Sequence, residues 1–462
     1  MPDAPTGQFQ QTLGDPRLQL AIYSATQRLI DHRAGAVADD RLPGYQALRT
    51  RANAIKKHTI EHLDYYLEQL ESNVAAHGGK VVFCQDGDEV ADFVLDLAKK
   101  RNARLIVKSK SMTTEEIHFN EHLDRHQLET VETDLGEYIL QLADQRPYHI
   151  VAPALHMTRY DVADVFSKKL GVEKEVVPEN QTKIARAALR EKFLHADIGV
   201  TGANFLIADS GAVVLVENEG NARLTTSAPK IHIAVAGIEK VIPRAQDLAV
   251  FLTLLGRSAT GQPLTVYTSF LSGPRRAEEI DGPDEFYVVL LDNGRTKLLR
   301  DPEKRQSLYC IRCGACLNHC PVYRKIGGHN YPWVYSGPIG AILTPQFHGV
   351  THDSWLPFAS SLCGACAEVC PVKIEIPRLL LKLRSEVTQA EQKSRGLERW
   401  AFSVWAWVMT HPRMYRLLGY WGAKLWPLVP KIGPLAKWAS QRELPKPAPK
   451  SFHELWRERR RS

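Results

Sequence analysis

The sequence predicts an α/β domain with a parallel sheet, then an α-helical, cysteine-rich segment, then a Trp-rich helical tail. Three observations carry that prediction. Short β-branched runs alternate with amphipathic stretches as far as about Asp301, seven of the eight cysteines fall between Cys310 and Cys370, and seven of the nine tryptophans lie in the last 65 residues. At 462 residues the chain exceeds what one core usually supports. The divisions expected are 1–50 as an N-terminal extension, 51–300 as the α/β domain, 301–385 as the cysteine domain, and 386–462 as the basic tail.

Residues 1 to about 50 read as polar and irregular, with a helical stretch near Leu18 to Arg33. Ile55, Ile60, Leu63, Tyr66, Leu67 and Leu70 then recur at helical spacing, which predicts one helix from about Ala52 to Ala75. KVVFCQD, DEVADFVLDLAKKRN and ARLIVKSK make a strand, helix, strand unit, whose expected product is a parallel sheet. HIVAPAL continues the pattern, followed by helices near Tyr160 to Lys169 and Gln181 to Phe193. IGVTGANFLIADSGAVVLVENEG reads as strands broken by Gly; KIHIAVAGIEKVI, a helix near Ala245 to Leu255, and EFYVVLLDNG complete the domain. Beyond the cysteines, PRLLLKLRSEVTQAEQK reads as one amphipathic helix and ELPKPAPK as a Pro-rich linker.

Composition excludes several classes. An apolar content of 44% with 24% charged residues is that of a globular protein. The net charge of +7 is a property of the tail, where residues 393–462 carry 15 Lys and Arg against 4 Asp and Glu. The body is therefore slightly acidic and gives no support for nucleic-acid binding. No secretory signal and no run of roughly 18 apolar residues is present, so the expected place is the cytoplasm, at most at a membrane surface.

Cys310, Cys313, Cys316 and Cys320, with Pro321, fit the run C-x2-C-x2-C-x3-C-P of bacterial ferredoxins. Three thiolates two residues apart let a tight loop wrap three corners of an iron-sulfur cubane, while the fourth points to the other cluster. Crossover assigns Cys310, Cys313, Cys316 and Cys370 to one 4Fe-4S cluster, and Cys320, Cys363 and Cys366 to a second. The fourth position of the second is Ser360. That cluster is open to three readings: 3Fe-4S; 4Fe-4S with Ser360, His319, His348, His352 or solvent on the last iron; or a ligand borrowed from a partner. Structural zinc also uses Cys pairs, but it has no use for three consecutive spacings or Cys-Pro endings. Cys84 could in principle supply the missing thiolate, but it stands alone at the end of an apolar run remote in sequence, where a simply buried thiol is the plainer reading.

Together with VKSKSMTTEEIHFNEHL, ETDLGEYILQL, HIVAPALH, GVTGANFLIADSGAVVLVENEGNARL, YSGPIGAILTP and SSLCGACAEVCPVKIEIP, this run resembles the lactate utilization protein B family of bacterial L-lactate oxidation. The resemblance covers nearly the whole chain, and the three-cysteine second array is familiar in it. It implies a lactate-utilisation domain of CoA-transferase-like fold, a two-cluster ferredoxin-like domain, and electron transfer during lactate oxidation. The partners implied are a cysteine-rich subunit similar to heterodisulfide reductase and a small protein bearing only the lactate-utilisation domain.

Other candidate sites are weaker. VENEGN is similar to the Ser-Glu-Asn-Gly stretch of some CoA transferases, which would make Glu217 the catalytic group of an enzyme handling a small acid or acyl thioester. It lacks the serine and inserts a residue before Gly, so a turn is the plainer reading. VTGAN and IADSGA could face an anion through backbone N–H groups, and Lys108 and Lys110 could bind a carboxylate or phosphate. The Trp-rich tail suits partner docking, packing or a membrane interface. A scaffold whose clusters are purely structural is the remaining alternative.

Overall fold

In the computed structural model, which describes residues 4–391, 396–426, 436 and 446–461, the chain divides into two compact units, residues 1–387 and 388–462. Ten strands lie in the first: β1 Lys80–Cys84, β2 Leu105–Lys108, β3 Glu129–Glu132, β4 Ile198–Thr201, β5 Phe205–Ile207, β6 Ala212–Glu217, β7 Ile231–Gly237, β8 Val241–Ile242, β9 Tyr267–Leu271 and β10 Glu285–Leu291.

Six of them form an entirely parallel sheet in the order β1-β10-β7-β4-β2-β3. Every residue of β4 and β7 is buried, as expected where crossover helices cover both faces. β1, at the edge, exposes Lys80 and Phe83. A second, mixed sheet runs β8-β5-β6-β9, built on the β5–β6 hairpin of the IADSGA turn.

Several elements depart from the sequence reading. The first 50 residues are largely helical, in Thr6–Gly14 and Pro16–Ala36. Asp15 caps the second of these by accepting from Arg17 N and Leu18 N at 2.9 and 3.0 Å, with Pro16 in the first turn. That Asp-Pro start is a helix signal which the polar composition obscures. The long helix predicted from Ala52 breaks at His62 into Tyr45–Glu61 and Leu63–Ala76.

HIVAPAL is not a strand. Its chain folds around its own histidine, with the N–H groups of Val151 and Ala152 donating to His149 Nδ1 at 3.1 and 3.2 Å. Tyr148 N–H meets Pro153 O at 2.9 Å. Apolar content alone does not separate a strand from such a buried loop. Conversely, β3 was invisible because Glu129 and Glu132 interrupt its apolar pattern; Glu132 is buried there because Lys108 pairs with it at 2.6 Å.

The largest apolar core does not stop at the α/β segment. It joins Tyr45, Ile55, Phe205, Val214 and Phe251 to Cys313, Cys320, Cys366, Cys370 and Leu380. The cysteine segment thus packs directly on the helices and second sheet of the α/β region. Helices Gly396–Thr410, Pro412–Leu425 and Phe452–Arg461 make up the described tail. Several of its described aromatic side chains are exposed, Trp400 by 65% and Trp421 by 51%. Among the described residues no helix is long and apolar enough to cross a membrane.

Candidate metal centre

The two cysteine arrays repeat one local structure. Arg312, two residues after Cys310, has φ 61°, and Leu362, two residues after Ser360, has φ 54°. Both are non-glycine residues in the left-handed region, which side chains rarely enter without surrounding constraint. A glycine in the same region follows in each, Gly314 at φ 73° and Gly364 at φ 86°, each entering a short helix, Ala315–Asn318 or Ala365–Val369. The N–H of Arg312 donates to Cys310 Sγ at 3.4 Å, and the N–H of Leu362 donates to Ser360 Oγ at 3.1 Å. Ser360 therefore holds in the second loop the place that Cys310 holds in the first.

The thiols fall into two groups. Cys310, Cys313, Cys316 and Cys370 line one small, mostly apolar cavity. Burial pushes the Cys313 thiol up to about 12, against the Ala315 N–H and with Cys370 and Cys310 adding. Cys316 lies well above its ordinary range for the same reasons, and Cys370 rises to about 11 through burial, opposed by the Ile374 N–H. In the second group burial raises Cys320, with the charge of Cys363 adding, and carries Cys366 up to about 12, with Cys320 and Cys363 adding. Helices Ala315–Asn318 and Ala365–Val369, which carry Cys316 and Cys366, pack against each other, so the groups adjoin.

Thiols this buried stay protonated at neutral pH unless a cation replaces their protons. Four thiols around one small, mostly apolar cavity have the chemistry of an iron-sulfur site. The donor set fits the group.

A family model for the LUD domain matches residues 67–291, one for the 4Fe-4S dicluster domain matches 306–374, and one for the C-terminal region of lactate utilisation protein B matches 382–461. Lactate utilization protein B of Bacillus licheniformis is 46% identical over 449 residues, covering 96% of this chain and 94% of that protein. Its counterpart in Bacillus thuringiensis is 44% identical over 458 residues, covering 97% and 95%.

The chain belongs to the lactate utilization protein B family.

A crystal structure of a duf162 family protein from Deinococcus radiodurans also aligns, with TM-score 0.29 and 11% identity, covering 50% of this chain and 98% of that one; it is too distant to bear on the fold. As a member of the lactate utilization protein B family, the protein has a role in lactate utilisation and carries iron-sulfur chemistry in its cysteine segment.

In this family member the N-terminal helices clamp the second array. Arg49 Nε and Nη2 donate to Cys370 O at 2.9 and 2.7 Å, Arg33 Nη2 to Val369 O at 3.1 Å, and Asn53 Nδ2 to Val372 O at 2.7 Å. Behind the first array Arg312 lies 4.5 Å over the Tyr335 ring and donates to Glu239 Oε1 at 3.3 Å. Arg295 Nε donates to Glu239 Oε2 at 2.5 Å and its Nη atoms hold Glu116 at 2.8 and 2.9 Å. Sequence reasoning found none of these. One signal existed: Arg49 and Lys56 sit in the same helical stripe as Tyr45, Ala52, Thr59 and Ile60, and a cation in an apolar stripe has a buried partner.

The other candidates are placed as follows. Cys84 is buried in a core cluster that contains no other cysteine, and burial pushes its thiol up to about 11. His348 and His352 gather around Asp353, at 3.9 and 3.0 Å, and His319 Nδ1 bonds to Ala315 O at 2.9 Å. Lys108 is fully buried and occupied by Glu132 and Glu115. Both Glu217 oxygens accept backbone N–H groups, from Ala222 and Arg223 at 2.8 Å each, which pins the turn into helix Asn221–Ser227. Glu217, Lys110 and Gly202 of VTGAN line a common cavity.

His149 ties the α/β region to the first array and gives it an acid limit. Its Nδ1 accepts two N–H groups, so its Nε2 carries the proton and donates to Asn318 Oδ1 at 3.1 Å. Burial, then the charge of Lys110, depresses its pKa to about 3. Because the folded value lies below the unfolded value of about 6.5, its contribution is complete above pH 6.5 and is lost as the pH falls from there toward 3. The expected loss is about 1.4 kcal/mol per pH unit. Urea unfolding between pH 7 and 4 measures it, and His149→Gln flattens the slope by that share.

Proposed function

We propose that the protein is an electron-transfer subunit of the oxidation of L-lactate to pyruvate. In this reading Cys310, Cys313, Cys316 and Cys370 hold one 4Fe-4S cluster, and Cys320, Cys363 and Cys366 hold a second whose remaining corner faces Ser360. The observation that carries it is the cavity lined by Cys310, Cys313, Cys316 and Cys370, in the same packed core as Cys320 and Cys366. Bound there, the clusters supply one-electron carriage.

The chain's own residues do the rest. Arg49 and Arg33 fix the Cys370 loop, Ile339, Val372 and Ile374 pack apolar atoms around the first thiol group, and Arg312 sets a positive charge beside Cys310. Cys363 is exposed, which suits exchange with a docked partner. The partners of this reading are a cysteine-rich subunit similar to heterodisulfide reductase and a small protein bearing the lactate-utilisation domain alone, all in the cytoplasm.

Anaerobic EPR with redox titration and iron and sulfide counting tests the reading. Two reversible clusters support it, while clusters that never change oxidation state in the assembled complex mark a structural scaffold. Ser360→Cys tests the fourth corner. With a fourth thiolate the second cluster should move toward the potential of the first by about 60 mV or more, the equivalent of a tenfold one-electron equilibrium. An unchanged potential and iron count would place that corner elsewhere.

A further inference from the structure

β2 runs onward to β3 on one side of the sheet, whereas β4 is followed in the sheet by β7 on the other. The gap beyond the carboxyl ends of β2 and β4 is thus a topological switch point, where open α/β sheets bind ligands. A cavity of about 310 Å³ occupies it, lined by Ser109 and Lys110 after β2 and by Gly202 and Asn204 after β4. Its far wall is Ile311 and Arg312, from the loop between Cys310 and Cys313.

The polar groups in this cavity are unequally satisfied. The carboxylates are engaged by backbone N–H groups: Glu217 by Ala222 and Arg223, Glu219 by Leu135 at 3.1 Å, and Asp134 by Gly136 and Glu137 at 3.0 and 3.3 Å. The cations have donors to spare. Arg312 is 8% exposed and its Nη1 is buried with no hydrogen-bond partner. The side chain of Lys240, a residue also 8% exposed, makes no hydrogen bond or ion pair among the described residues. Lys110 is only partly met, by Glu137 at 3.3 Å.

Buried cationic donors without an acceptor are costly, and an anion set against Arg312 Nη1 and Lys110 Nζ reduces that cost. Burial first, and Arg312 second, push Lys240 down to about 8, a penalty a neighbouring negative charge offsets. Each added negative charge is opposed by the three carboxylates, so a monoanion is favoured over a dianion. Met112, Leu215, Val216 and Leu255 give the cavity an apolar side for an alkyl group.

We propose that this cavity binds a small organic monocarboxylate between Lys240, Arg312 and Lys110, and that binding is coupled to the oxidation state of the iron held by Cys310 and its neighbours. The coupling rests on the electron-transfer reading; the binding does not. An electron added beside Arg312 repels a bound anion, so the oxidised protein binds more tightly than the reduced one, and by reciprocity the anion lowers the midpoint potential.

The test is calorimetry on anaerobically purified, cluster-replete protein titrated with sodium pyruvate, L-lactate, acetate and inorganic phosphate. Saturable binding of pyruvate or lactate is expected, with phosphate at least tenfold weaker. Lys240→Met should weaken the carboxylate at least tenfold at unchanged iron content and thermal midpoint, and Val216→Phe, which fills the cavity from its apolar side, should do so without altering charge. No saturable binding, affinity unchanged in both variants, or phosphate binding more tightly overturns the site. Dithionite-reduced protein should bind tenfold more weakly, equivalent to about 60 mV in an EPR-monitored potential with saturating pyruvate. Binding with an unmoved potential overturns the coupling. Calorimetry reads the site whether or not the protein carries electrons, so its failure and that of the electron-transfer reading are separable.

Discussion

Cys370→Ala should abolish the cluster of the first array and spare the other, even though Cys370 belongs to the second array. Cys370 shares its cavity with Cys310, Cys313 and Cys316, whereas Cys366 senses Cys320 and Cys363. Iron per protein should fall by about half, since one of two clusters is lost, and the surviving EPR signal should keep its potential. Cys366→Ala should do the reverse. The stability effects should differ as well. Cys370 sits in the largest core with its carbonyl clamped by Arg49, and metal binding free energy at such a site is folding free energy. Cys363, at the exposed end, should cost the least on replacement. If Cys370→Ala removed the signal that Cys366→Ala also removes, the crossed assignment would be wrong.

Arg295→Met should be the most destabilising single change outside the cysteines. Arg295 is fully buried and pairs with Glu116 and Glu239, themselves 0% and 1% exposed. Removing it leaves Glu116 with no cationic partner among the described residues and Glu239 with Arg312 alone, which costs about 3–5 kcal/mol, a large share of the roughly 5–15 kcal/mol by which folded proteins exceed their unfolded states. The pH dependence identifies the cause. Burial alone raises Glu239, but Arg295 first, then Arg312 and Lys240, overrule it and hold its pKa at about 2. With the folded value below the unfolded one, Glu239 stabilises the wild type above about pH 4.5 and loses that contribution as the pH falls toward 2. Without Arg295 the carboxylate's folded value rises instead, so the deficit is greatest at high pH and relieved by acid. The gap between variant and wild-type thermal midpoints should therefore narrow from pH 8 to pH 5, and Glu239→Gln in the same chain should recover part of it. A gap constant with pH would mean lost packing, not stranded charge.

What could be read without coordinates was whatever depends on neighbours in the chain. The spacing of Cys310, Cys313, Cys316 and Cys320 announces a cluster because a loop of three-residue steps is a local geometry. The alternation from Lys80 to Leu291 announces a parallel sheet because crossover helices must cover it. Ser360 was recognisable as the odd position by counting back from Cys363. Local pattern failed where polarity and burial part company. HIVAPAL is apolar but loops around His149, and β3 carries Glu132 inside because Lys108 waits there.

The sequence by itself determined the fold class, the iron-sulfur segment and the family. Only the tertiary structure decided the strand order, the clamp of Arg49 on Cys370, the occupation of Lys108, and the unpaired donors of Arg312 and Lys240 at the end of β2 and β4. Arg49 and Cys370 are 321 residues apart, and Arg295 and Glu116 are 179 apart. A buried charge is tolerated only where its partner arrives, and no periodicity in either segment records which distant partner that will be.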